Sequence, residues 1–155
     1  MKGENIAIIL GRKGSKGFKN KNTMKILGRP AYEYAIRAAK KCSKIQSVYF
    51  STDIDEIIKK RDYYDIEIIN RPKYLANSTA LFEDALHHAY KKIKKIHNNN
   101  INLVVILMAN AVTVNSKLIL KGIEMLENDK EADSAVTVSS FNIFQYCCCI
   151  YSRTK

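Results

Sequence analysis

Residues 6–25 read IAIILGRKGSKGFKNKNTMK: five apolar residues, Ile6 to Leu10, and then a stretch with six Lys or Arg, three glycines and no acid. An apolar run that does not alternate reads as a strand buried on both faces. Such a strand delivers the chain to one sheet edge, and the loop beyond it suits an anion. Glycines let the backbone come close to a phosphate, and Arg12, Lys13, Lys16, Lys19 and Lys21 bring positive charge. The spacing excludes the commoner phosphate loops. A Walker A loop needs Lys and then Ser or Thr after its last glycine, whereas Gly17 is followed by Phe18; Gly11, Gly14 and Gly17, three apart, do not spell G-x-G-x-x-G. The competing reading is a solvated basic turn.

Beyond this stretch, short β-rich runs alternate with helical patterns. Ile6 to Leu10, Ser47 to Ser51, Ile66 to Ile69, Leu103 to Met108 and Ala135 to Val138 read as strands. Ala31 to Cys42, Asp55 to Tyr63, Leu81 to His97 and Ser116 to Glu127 read as helices. Strands alternating with helices give right-handed crossovers and a mostly parallel sheet covered on both faces, an α/β Rossmann-like three-layer sandwich. Pro30 suits the first turn of a helix, whose buried stripe reads as Ala31, Tyr34, Ala35 and Ala38. Asp65 falls where a helix stops, as a left-handed cap, and Asn98-Asn99-Asn100 reads as a surface loop. In an open sheet of this kind ligands bind beyond the carboxyl ends of the strands. The basic loop, Ser51-Thr52-Asp53, Asn70 to Thr79 and Ala109 to Thr113 all reach that edge.

Composition narrows the class. A chain of 155 residues fits one domain that buries roughly two-thirds of its unfolded surface without staples. Cys42 sits on a predicted helix and Cys147, Cys148 and Cys149 are consecutive, which suits neither a disulfide framework nor a zinc site, so a reducing cytoplasm is the expected location. No apolar run approaches the ~18 residues of a membrane span, and none reads as a signal peptide. The net charge of +11 invites nucleic acid as a partner. Lys91, Lys92, Lys94 and Lys95, however, share a helix with Leu86, Ala89, Tyr90, Ile93 and Ile96 at helical spacing, as a solvated face would. The basic loop, for its part, offers only Phe18 for base stacking. Nucleic acid is therefore not the expected partner.

Taken in order, GRKGSKGFKNKN, STD, RPKYLANSTALFEDAL and LMANAVTV resemble the cytidylyltransferases that activate acidic sugars, above all the acylneuraminate group, which makes CMP-sialic acid and related CMP-nonulosonates. The resemblance covers residues 5–144. It implies an enzyme that takes CTP and a sialic acid-like sugar acid, with Mg²⁺ as cofactor and a homodimeric assembly, and releases pyrophosphate. Arg12, Lys16 and Lys21 match the basic triphosphate positions given the catalytic role. Gly11, Lys13, Gly14 and Ser15 belong to the same loop, and Asn22 to a position near the nucleoside. Arg71, before Pro72, matches a nucleotide-contacting arginine, and Asn77, Ser78 and Thr79 match the loop beside the cytosine. Asn110 falls on the sugar side.

Other polar residues read as structural. Asp53 reads as a helix N-cap, and Glu83 and Asp84 as first-turn acids that favour the helix dipole. His87, His88 and His97 have no metal-like spacing and read as surface residues.

The departures concern three places. Lys19-Asn20 stands where the family often has Pro-Gly, and Val112 where a nonulosonate variant has proline. Residues 145–155 do not resemble the family, so they read as an aberrant tail after a domain of 1–144. The family's dimerisation segment, sugar-binding region and Mg²⁺-holding Asp-x-Asp pair would follow that point, so no metal ligand is expected in this chain. The alternative functions are a nucleotide-binding remnant without turnover and a basic nucleic-acid binder.

Overall fold

Side chains alternate across a strand, so an all-apolar strand needs cover on both faces. The computed structural model, which describes residues 3–14, 18–138 and 149–153, provides that cover. Along the chain run β1 (Glu4–Gly11), β2 (Lys25–Ile26), β3 (Arg29–Pro30), α1 (Ala31–Lys40), β4 (Ser47–Thr52), α2 (Asp55–Lys59), α3 (Arg61–Tyr64) and β5 (Glu67–Asn70). They are followed by α4 (Lys73–Ala76), α5 (Phe82–Ile96), β6 (Ile101–Met108), α6 (Ser116–Asn128), β7 (Ser134–Val136) and β8 (Cys149–Arg153). The main sheet has the order β5-β4-β1-β6-β8-β7. Its first four strands are parallel, and β8 runs antiparallel between β6 and β7.

The two faces of β1 feed two separate cores. Ala7 and Ile9 join Tyr32, Ala35, Ala39, Phe50, Val105 and Ile119 under α1 and α6. Ile6, Ile8 and Leu10 join Tyr49, Val104, Ile106, Ala85, Ala89 and Ile93 under α5. This is the three-layer, mostly parallel α/β sandwich expected from the strand and helix pattern.

Local differences have local causes. The helix expected over Asp55 to Tyr63 is split at Lys60, whose N–H bonds back to Ile57 as in a 3₁₀ turn. Tyr32, fully buried, is the core aromatic of α1; Tyr34 is half-buried and donates its hydroxyl to the carbonyl of Ile26. Pro30 is the N-cap of α1, one residue before its first turn. Cys42 lies beyond that helix, yet is buried. Ile96, placed by periodicity on the buried stripe of α5, is 60% exposed at the helix end. Asp65 does adopt the left-handed cap, at φ 51°.

The β2–β3 hairpin was not expected. Its tip, Leu27-Gly28, takes φ of +48° and +81°, the signs a two-residue type I′ turn requires. Leu27 is 93% exposed there.

His97 corrects the surface reading of the histidines. Its Nε2 lies 2.7 Å from the Tyr49 hydroxyl and its Nδ1 3.5 Å from Glu4, with the side chain only 10% exposed. His87 is exposed and His88 half-buried. No helix among the described residues is long and apolar enough to cross a membrane.

Candidate functional site

A cleft of about 510 Å³ opens at the carboxyl ends of β1, β5 and β6, where the topology places it. Arg12, Lys21, Asn22, Arg71, Ser78 and Asn110 meet there, from three of the four segments that reach this edge. Gly11 lines it as well, and Phe18, Leu75 and Phe82 supply apolar wall.

The basic loop is held closed at its base. Asn22, buried, donates its side-chain amide to the carbonyl of Arg12 at 2.9 Å, and its own carbonyl accepts the N–H of Tyr32 at the start of α1. Arg12 turns Nη1 onto the carbonyls of Lys13 and Gly14, at 3.1 and 2.8 Å. Asn20 takes φ of +56°, so it supplies the left-handed position a glycine would otherwise fill.

The two described loop glycines act differently. Gly14 needs its φ of +68°. Gly11 is needed for space, because a Cβ there would lie 2.5 Å from that of Ala109 and 3.2 Å from the Phe50 ring.

Arg71 is anchored by Ser51, a residue the motif reading did not single out. Nε donates to Ser51 Oγ at 3.3 Å and Nη2 to its carbonyl at 3.0 Å, while the Arg71 amide bonds to the carbonyl of Thr52. Burial lowers the pKa of the guanidinium, Asp53 opposes that shift, and Arg12 adds to it. With Lys21, three cations thus face one cleft.

Asp53 is not the helix cap expected of it. Ile54 is the N-cap of α2, its N–H is taken by Thr52 Oγ1 at 3.0 Å, and Asp53 Oδ1 accepts the N–H of Lys13 at 2.7 Å. The Asx turn of Asn77 was equally hidden: its Oδ1 accepts from the N–H and hydroxyl of Thr79 and the N–H of Ala80, at 2.9, 2.8 and 2.8 Å.

The cleft does not gather every expected residue. Lys13 points to Asp55, 3.6 Å away, Gly14 is exposed, and Thr79 is turned onto Asn77; none of the three lines the cleft. Ser15 and Lys16 lie outside the described residues, as do Cys147 and Cys148. Two buried polar atoms have no hydrogen-bond partner among the described residues: Asn110 Oδ1, in the cleft, and Nδ1 of His88 on α5. Burial lowers the His88 pKa, with Lys92 and Arg71 adding to the effect.

Clustered cations at the carboxyl edge of a parallel sheet, beside an apolar wall, make a cleft suited to an anionic ligand in a Rossmann-like α/β domain. A family model described as Cytidylyltransferase matches residues 6–145, and the chain belongs to that family. It is 33% identical over 84 residues to the N-acylneuraminate cytidylyltransferase of Escherichia coli O18:K1:H7 (strain RS218 / NMEC), covering 54% of this chain and 20% of that protein. It is 27% identical over 142 residues to the pseudaminic acid cytidylyltransferase and UDP-2,4-diacetamido-2,4,6-trideoxy-beta-L-altropyranose hydrolase of Helicobacter pylori (strain ATCC 700392 / 26695), covering 91% of this chain and 27% of that one. The fold matches a cytidylyltransferase of Leptospira borgpetersenii serovar Hardjo-bovis with a TM-score of 0.72 at 15% identity, over 97% of this chain and 60% of that structure. The chain thus spans about a fifth to a quarter of the length of these two curated relatives.

Proposed function

We propose that the cleft binds CTP and that the chain serves cytidylyl transfer to an acidic nonulosonic sugar. The observation that carries this reading is the convergence of Arg12, Lys21, Asn22, Arg71, Ser78 and Asn110 on one cleft in a cytidylyltransferase-family chain. In this reading Arg12 and Lys21, with Lys16 of the same loop, hold the triphosphate. Asn22, Arg71 and Ser78 face the nucleoside, and Asn110 faces the sugar.

The reaction joins the sugar's anomeric oxygen to the α-phosphorus of CTP, breaks the α–β phosphoanhydride bond, and releases pyrophosphate and a proton. Charge grows on the departing pyrophosphate, so fixed cations in a partly desolvated cleft favour that step. The Asn110 amide oxygen, buried without a partner, is an acceptor suited to a sugar hydroxyl.

A family Mg²⁺ does not find a cage in these residues. Among the described residues, no carboxylate lines the cleft and no group of three His, Cys, Asp or Glu could hold a metal ion. Mg²⁺ commonly relies on substrate phosphates and water beside one or two carboxylates.

Isothermal titration tests the reading. CTP is expected to bind more tightly than ATP, GTP or UTP, and pyrophosphate release is expected to depend on a nonulosonic acid. Equal affinity for all four nucleotides would refute it.

A further inference from the structure

A carboxylate beside a phosphate-binding cleft works against the ligand's charge, so its place there calls for another cause. Asp53 is set by the ladder: Thr52 pairs with Gly11 in register, which leaves Asp53 alongside the first loop residues after β1. Its neighbours are already committed. Thr52 caps Ile54 and takes the Arg71 amide, and Ser51 takes the Arg71 side chain. Asp53 Oδ1 takes the Lys13 amide at 2.7 Å. Three successive residues therefore bracket Arg71 on one side and the basic loop on the other. The residue after Lys13 is Gly14, at φ +68°, where the backbone has wide freedom unless something holds it.

We propose that Asp53 is a positioning residue for the anion site: by accepting the Lys13 amide it fixes the basic loop against the end of β4, at a set distance from Arg71. The part of this proposal that concerns CTP rests on the function proposed above. The contact itself does not.

Two variants separate anchoring from charge. Asp53→Ala removes both the acceptor and the charge; Asp53→Asn keeps an acceptor oxygen and removes the charge. Binding is measured by titration with CTP and with inorganic tripolyphosphate, and the Lys13 amide is followed by hydrogen exchange in NMR spectra. With a charged acceptor lost, Asp53→Ala is expected to weaken binding by about tenfold and to unprotect the Lys13 amide. Asp53→Asn is expected to restore that protection and to bind within about threefold of the parent, because the geometry is kept. A loss that Asp53→Asn rescues is not one that removal of a surface charge would give.

Tighter binding by Asp53→Ala would overturn the proposal, since it would mean that the carboxylate only repels the anion. So would an unprotected Lys13 amide in the parent, or Asp53→Asn behaving like Asp53→Ala. A parent that binds tripolyphosphate but shows no preference for CTP would defeat the cytidylyl reading alone. A parent that bound neither would overturn the anion-site role as well, leaving only the loop contact, which the exchange of Lys13 across the three proteins would report.

Discussion

Asn22 and Arg12 are joined across the mouth of the basic loop by a 2.9 Å hydrogen bond from a buried side-chain amide to a backbone carbonyl. That bond makes the two ends of the loop neighbours, and it places Lys21 over the cleft while Lys13 turns outward to Asp55.

The two lysines are therefore expected to differ. Lys21→Ala removes a cation from the cleft and should weaken CTP binding by about 1.5 to 3 kcal/mol, the scale of a charged hydrogen bond. Lys13→Ala removes an exposed ion pair and should change it by less than about 1 kcal/mol. Titration of both variants checks the order; equal losses would show that the loop acts as diffuse charge.

Arg71→Lys keeps the charge but loses the fork that grips Ser51 through Nε and Nη2. An ammonium cannot reproduce that planar geometry. CTP affinity is expected to fall about tenfold, in line with one charge-assisted bond. Unchanged affinity would reduce Arg71 to a turn residue.

Gly11→Ala brings a methyl group to 2.5 Å from the Ala109 Cβ. Overpacking of this kind costs about 1 to 3 kcal/mol. Urea unfolding should show that loss, and adding Ala109→Gly should recover much of it by vacating the space. No recovery would place the strain elsewhere.

His88 supplies a pH dependence. Burial first, then Lys92 and Arg71, lowers its pKa from the ordinary 6.5, so the unfolded chain takes up its proton before the folded one. Stability from this residue is fully present above pH 6.5 and is lost as pH falls below it. His88→Gln should flatten the melting temperature between pH 7 and about pH 5 relative to the parent, because a non-titrating side chain removes that linkage. Parallel curves for the two proteins would contradict the burial argument.

Leu27 gains nothing from its φ of +48°, because its side chain is 93% exposed. Asn tolerates that conformation better, and relief of the left-handed cost is worth about 1 kcal/mol. Leu27→Asn should raise the melting temperature. A fall would mean that the leucine side chain makes a contact that offsets the strain.

Much of this architecture was legible in the chain because the signals were strong and local. Ile6 to Leu10 and Leu103 to Leu107 are short, rich in β-branched residues and apolar without alternation, the mark of strands covered on both sides. The helices of α1, α5 and α6 carried their periodicity openly. The segments that line the cleft could be located because polar side chains follow apolar strands at one edge, while the individual residues came from the motifs shared with the family. What stayed hidden depended on contacts made across the sheet. Ser51 reads as the last residue of a strand until Arg71 folds back on it. Asp53 in Ser-Thr-Asp fits a helix cap by composition, and only the register of Gly11 with Thr52 turns it toward Lys13. The β2–β3 hairpin escaped because its strands are two residues long and its turn puts a leucine where Asn or Gly gives the usual signal.

The division of β1 between two cores has a consequence for how the chain can go wrong. Large side chains, Ile6, Ile8 and Leu10, face one layer, and Ala7, Ile9 and Gly11 face the other. A slip of one residue would exchange the two sets, driving isoleucine into the space of Ala7 and leucine into the gap between Ala109 and Phe50. The same slip would carry Arg12 and Lys13 to opposite sides of the sheet edge. A misregistered chain would thus lose its packing and its cleft together, so a population that is folded but unable to bind is not expected to arise from errors in this strand.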